Sequence, residues 1–249
     1  MKKGTVRFIL AAAFLPLAGL LGFSLDEDRP AVQEDSDFTF IRIRYNGYMG
    51  SWGRMWGGPP PWAHDYPQAE QNFLKILAEL TTVRALPDAY RILDLDDPEI
   101  MRYPLLYMSE PGYWNCTERE AENLREYFRR GGFVIFDDFR DDPGEWQNFT
   151  RCTRMVFDDR QWEALSVDHP VFQCFFAIES LEMTTPYPVP GAPTFYGLSD
   201  ETGRLQAIAN FNNDIGDYWE WSHTSIWPIN LTNEAYRFGI NYVIYAMTH

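Results

Sequence analysis

Positive charge is what this chain has least of. Its 249 residues carry 21 Lys and Arg against 36 Asp and Glu, a formal net charge of -15. Such a field repels phosphate backbones and anionic lipid, which argues against a nucleic-acid partner and leaves cations and neutral ligands as the favoured company. Cysteine is scarce as well, with Cys116, Cys152 and Cys174 alone. None has CxxC spacing or a neighbouring His, so no zinc motif is present, and no metal or cofactor is expected. Three thiols without a catalytic role are the plain expectation, although an exported chain could join two and leave one free. There is also no internal repeat and no low-complexity tract.

Apolar and aromatic residues are plentiful. Hydrophobic residues make up 45%, with nine Trp and fourteen Tyr. That suits one sizeable α/β domain with buried aromatics, some of which could line a cleft. The N-terminus stands apart. Lys2, Lys3 and Arg7 precede an apolar run from Phe8 to Phe23, and Asp26, Glu27 and Asp28 follow. This is the order of a secretory signal, with cleavage expected after Ser24; an uncleaved anchor would be the chain's one membrane attachment. Residues 1–24 hold three basic and no acidic groups, so their removal takes the net charge to -18. Residues 25–37 read as a linker and 38–249 as the domain.

Within the domain, Phe38 to Arg44 is rich in strand formers. Tyr45 to Trp62, with its Gly, Pro and Trp, reads as an ordered loop over the end of that strand. Gln68 to Leu80 has helical periodicity, and Arg91 to Leu93 and Leu105 to Met108 read as strands. Thr117-Glu118-Arg119-Glu120 is a capping box opening a helix that Gly131 closes. Phe133 to Phe136 is then a buried strand, and a strand, helix, strand succession predicts a right-handed parallel crossover. Asp141 to Thr150 reads as a polar connection, Arg160 to Leu165 as a short helix, and Phe172 to Ile178 as extended. Thr194 to Tyr196 and Leu205 to Phe211 read as strands, Asn210 to Trp221 as a loop, and Asn233 to Met247 as a closing helix.

The candidates for chemistry gather where strands end. Asp137 and Asp138 follow the buried strand, where open α/β sheets place their sites. They could bind a cation, hold a hydroxyl or act as a base; the plainer use is to cap the next turn. His169, beside Asp168, could be held in one tautomer as a base, against a plain Asp-His-Pro turn. Asn210, Asn212, Asn213, Asp214, Asp217, Trp219, Glu220, Trp221 and His223 mix hydrogen-bonding groups with aromatic faces, a composition that suits carbohydrate, also offers oxygen ligands for a hard cation such as calcium though without an EF-hand pattern, or equally makes a solvated loop pinned by core tryptophans. Arg44 is placed to pair with Asp137 or Asp138. Tyr45, Trp52 and Glu110 complete the ligand-binding candidates.

The stretches Phe40-Ile41-Arg42-Ile43-Arg44-Tyr45, Tyr103-Pro104-Leu105-Leu106-Tyr107, Gly131 to Asp138, Asp168-His169-Pro170-Val171-Phe172 and Gly216 to Trp221 resemble the DUF4159 domain, a bacterial family of unknown function. That family in turn resembles the class I glutamine amidotransferase-like fold, near the ThuA-like proteins. The resemblance implies a flavodoxin-like, mostly parallel sheet with helices on both faces. In true amidotransferases the turn after the buried strand holds a nucleophilic Cys. Here it holds Asp137 and Asp138, which speaks against glutamine hydrolysis. The expected function is therefore an exported, periplasmic or other extracytoplasmic envelope domain, binding a small ligand, a glycan or a protein partner without catalysis. The alternatives are a hydrolase or sugar-modifying enzyme using Asp137 or Asp138 with His169, and a structural partner in an envelope complex.

Overall fold

A computed structural model describes residues 36–47, 58–140, 142–158, 160–183, 185–186 and 191–249. The expected signal, most of the linker and Trp52 lie outside these residues. Among the described residues no helix is long and apolar enough to cross a membrane.

The strands are β1 (Phe40–Arg44), β2 (Tyr90–Asp94), β3 (Leu105–Ser109), β4 (Phe133–Asp137), β5 (Glu163–Ala164), β6 (Thr194–Ser199) and β7 (Leu205–Phe211). They form one sheet in the order β2-β1-β3-β4-β7-β6-β5. The first five run parallel, and the β7-β6-β5 edge is antiparallel. The first five repeat the flavodoxin-like order, with the reversal of strand order falling between β1 and β3.

Alternation along the strands divides the core. Leu105 and Tyr107 of β3 join one hydrophobic cluster, while Leu106 and Met108 join the other. The first cluster is covered by α1 (Gln68–Leu80), α4 (Ile215–Glu220) and α5 (Ile229–Thr248), the second by α2 (Glu118–Arg129) and α3 (Pro143–Phe157). Helices on both faces explain why β3 and β4 are buried along their whole length. The capping box of α2 is formed in both directions, and Gly131 adopts φ 91 after the helix. Its missing Cβ makes that turn inexpensive.

Four expectations need correction. The polar connection after Asp138 becomes α3, because Asp142 caps it and Pro143 occupies the first turn. The segment at 160–165 holds no helix; Glu163 and Ala164 pair with β6 as a short edge strand. Phe172, expected to begin an extended run to Ile178, instead closes the 3-10 turn Pro170–Phe172, and no strand follows up to Ile178. The expected 210–221 loop contains β7's last residues and then α4, capped by Asp214. Cysteine use differs from the plain expectation too. Cys116 and Cys152 form a disulfide tying the segment after β3 to α3, and Cys174 remains a thiol.

Candidate functional site

The crevice beyond the C-terminal ends of β1, β3, β4 and β7 is built from chain segments that leave the sheet abruptly. Glu110 directly follows β3, Asp138 follows β4 and Asn212 follows β7, with φ of 46, 60 and 54. Asp65, beyond β1, has φ 64. Left-handed backbone is tolerated by Asp and Asn and costs more for Glu. Strain of this kind persists where surrounding structure enforces it, and it gathers at sites.

Asp137 and Asp138 are sequence neighbours with opposite duties. Asp137 is fully buried and takes four donors: the Tyr107 hydroxyl at 2.8 Å, Asn210 Nδ2 at 2.8 Å, and the Ile215 and Gly216 amides at 3.4 and 2.9 Å. It ties β3, β4, β7 and α4 together. Burial pushes its carboxyl up to about 6 against the pull of those donors. Asp138 turns the other way, and its Oδ2 lies 2.6 Å from His64 Nδ1. Asp138 is buried, while the His64 side chain is 38% exposed. Buried carboxylates around His64, led by the bond to Asp138, overcome desolvation and raise the imidazole to about 10.

Beside this pair sits a second group of carboxylates. Asp65 is 4% exposed, and neither of its carboxylate oxygens has a hydrogen-bond partner. Asp214 caps α4 by accepting from the Asp217 amide at 2.9 Å through Oδ1, and its buried Oδ2 has no partner. Burial, reinforced by neighbouring negative charge, holds both carboxyls well above the usual range. Asp217 rises to about 6 and Glu110 to about 8, each chiefly through burial. Potential metal-ligand atoms of His64, Asp138 and Asp214 lie within 4.8 Å of one another, and so do those of Asp65, Asp214 and Asp217. Asp214 belongs to both sets.

The clamp behind these residues is Arg42. It is 1% exposed and paired with buried Glu70 of α1. Its guanidinium also donates to the Trp62 and His64 carbonyls at 3.1 and 2.7 Å and stacks 4.9 Å from the Tyr107 ring centre. The strand thus fixes the loop that presents His64 and Asp65. On the other flank, Glu145 of α3 accepts from the Tyr113 hydroxyl at 2.9 Å. Tyr113, Asn115, Asp142, Glu145 and Asn148 border an open cleft of about 360 Å³.

Several expected residues stand elsewhere. Arg44 does not reach Asp137 or Asp138; it pairs with Asp94 on β2 at 2.7 Å, its register partner. Tyr45 is buried and its hydroxyl reaches the Ser109 and Glu110 carbonyls, so it braces the rim. Trp219 is in the core, 4.6 Å from Phe73. Glu220 has its backbone carbonyl held by Asn72. Asn212 is buried at the rim. His169 accepts from the Val171 amide and lies 6.3 Å from Tyr245, whose hydroxyl takes the Leu205 amide at the start of β7. Since β4 and β7 are parallel, that is the opposite end of the sheet from Asp137, and the His169 pairing is not formed. The residues missed were His64 and Asp65. His64-Asp65 offered the same two residue types as Asp168-His169; the usable signal was its place after the first strand.

A family model described as a domain of unknown function, DUF4159, matches residues 39–247. No curated protein matches the chain.

Proposed function

The chain belongs to the DUF4159 family, and from that premise we propose that it is an exported domain that binds a cationic or hydroxyl-rich ligand in the crevice beyond β1, β3 and β4. The observation that carries this is Asp65: a buried carboxylate whose two oxygens have no hydrogen-bond partner, facing a rim of further acids. His64 Nδ1 stands 3.8 Å from its Oδ1, yet a buried carboxyl group without hydrogen bonds costs on the order of a few kcal/mol even when it keeps its proton, and is retained where something else meets it. Export is supported by the signal-like N-terminus and by the Cys116–Cys152 bond, which persists in oxidising compartments.

A second reading is an enzyme. It rests on the His64–Asp138 contact of 2.6 Å, the geometry in which a carboxylate orients an imidazole for proton transfer. In that reading His64 takes the place given to His169, holding a proton it can donate.

The test is a thermal-shift screen of chelator-treated protein against neutral sugars, amino sugars, diamines and organic anions. Hits among the cationic or polyhydroxylated compounds, lost in Asp138→Asn, support the crevice. Stabilisation by organic anions that survives Asp138→Asn would remove it.

A further inference from the structure

We propose that the crevice holds a pair of divalent cations sharing one carboxylate: the first bound by His64, Asp138 and Asp214, the second by Asp65, Asp214 and Asp217. The inference deepens the crevice reading above and rests on it.

Three observations converge. The first is geometric. Each triad can bring three donor atoms within 4.8 Å of one another, a separation compatible with one ion between them. The second is the state of the donors. Neither oxygen of Asp65 accepts a hydrogen bond, although Oδ1 stands 3.8 Å from His64 Nδ1, and Oδ2 of Asp214 accepts none; both side chains are buried. Asp137, 1 residue away from Asp138 in the chain, has its oxygens saturated by four donors. The fold therefore supplies donors to a buried carboxylate where it needs only structure, and withholds hydrogen bonds from both oxygens of Asp65 and from Oδ2 of Asp214. The third is charge. Asp65, Asp138, Asp214 and Asp217 together carry four negative charges when ionised, which two divalent ions neutralise.

The ligand set also narrows the metal. One imidazole with carboxylates suits the first-row divalent ions, and an oxygen-only set suits Mg2+, Ca2+ or Mn2+. Mn2+ satisfies both, so it is the probe of choice. His64 is positioned for the task by the Arg42 contact to its carbonyl. Gly216 leaves room beside Asp65, because a Cβ there would stand 2.7 Å from its Oδ2.

The experiment is titration of the chelator-treated full chain with Mn2+, followed by electron paramagnetic resonance. Two ions per chain with an exchange-coupled signal are expected. His64→Ala should remove the first ion and leave an uncoupled one, and Asp217→Asn should weaken the second at least tenfold. Asp214→Asn keeps a capping side chain for α4 and should abolish coupling and weaken both ions. Circular dichroism establishes that each variant is folded; if Asp214→Asn fails to fold, the His64 and Asp217 variants decide. Fewer than two ions in the wild type, or a coupled signal that persists in the His64 or Asp217 variant, overturns the proposal. A chelated protein that binds sugars or amines through Asp138 yet takes up no Mn2+ would leave the crevice reading intact and remove the metal pair.

Discussion

The two ends of the sheet follow different rules. At the N-terminal end, hydrogen bonds close the strand starts. The Tyr127 hydroxyl takes the Phe133 amide, Gln206 donates to the Phe128 carbonyl, and the Tyr245 hydroxyl takes the Leu205 amide. At the C-terminal end, Asp65, Glu110, Asp138 and Asn212 adopt left-handed backbone, and carboxylates crowd one another. Both ends rest on the same two core clusters. The difference shows where this sequence departs from its own stability, and such departures mark function more often than error.

The comparison can be broken most severely at Arg42. Arg42→Met strands buried Glu70 and releases the Trp62 and His64 carbonyls. A loss of about 3 to 5 kcal/mol is expected, read from urea unfolding. Asp137→Ala comes next. It leaves four donors without an acceptor inside the protein, and about 3 kcal/mol should be lost in the same assay. Asp65→Asn should act in the opposite direction. Burial already favours the protonated form of Asp65, so the gain of about 1 kcal/mol is expected at alkaline pH, where the wild-type carboxyl is made to ionise without hydrogen bonds, and is seen as a higher melting temperature of the chelator-treated protein. A neutral or destabilising result would mean that Asp65 is less isolated than its surroundings indicate.

The pH response sharpens the contrast. Asp217 is raised from 3.8 to about 6 and Glu110 from 4.5 to about 8. The folded chain therefore binds more protons than the unfolded chain over that range. Their contribution is fully present below about pH 4 and is lost as pH rises through 6 and then 8. The chelated protein should unfold at a lower urea concentration at pH 8 than at pH 5. The smallest effect belongs to the other end: His169→Ala should cost less than about 1 kcal/mol, since its side chain loses one turn bond to Val171. It should leave ligand and Mn2+ binding unchanged.

Much of the fold was legible because its signals are local. The capping box at Thr117, the apolar stripe of α1 and the buried run into Asp137 each specify an element within a few residues. The α3 helix was legible in principle, since Asp142-Pro143 is a cap followed by a first-turn proline, but its aromatic side chains blurred the periodicity. The site was less accessible. Asp137 and Asp138 were visible at a strand end, yet nothing local says that Asp137 takes four donors and Asp138 meets a histidine 74 positions earlier. Likewise Arg42 and Arg44 alternate on one strand. Which of them turns toward α1 depends on the sheet's two faces, and Arg42 shares the first face with Phe40.

Gly216 carries a consequence for how this family can vary. A methyl group at that position would stand 2.6 Å from the Tyr107 hydroxyl and 2.7 Å from Asp65 Oδ2. The backbone of α4 approaches Asp137 that closely because nothing projects from residue 216. Positions 216, 107 and 65 are thus coupled by close packing. Alanine at 216 would have to be met by shorter residues at both 107 and 65, and with them a crevice of different selectivity. Lineages that keep both the glycine and the aspartate should share one ligand, and those that lose both together would have diverged in what they bind.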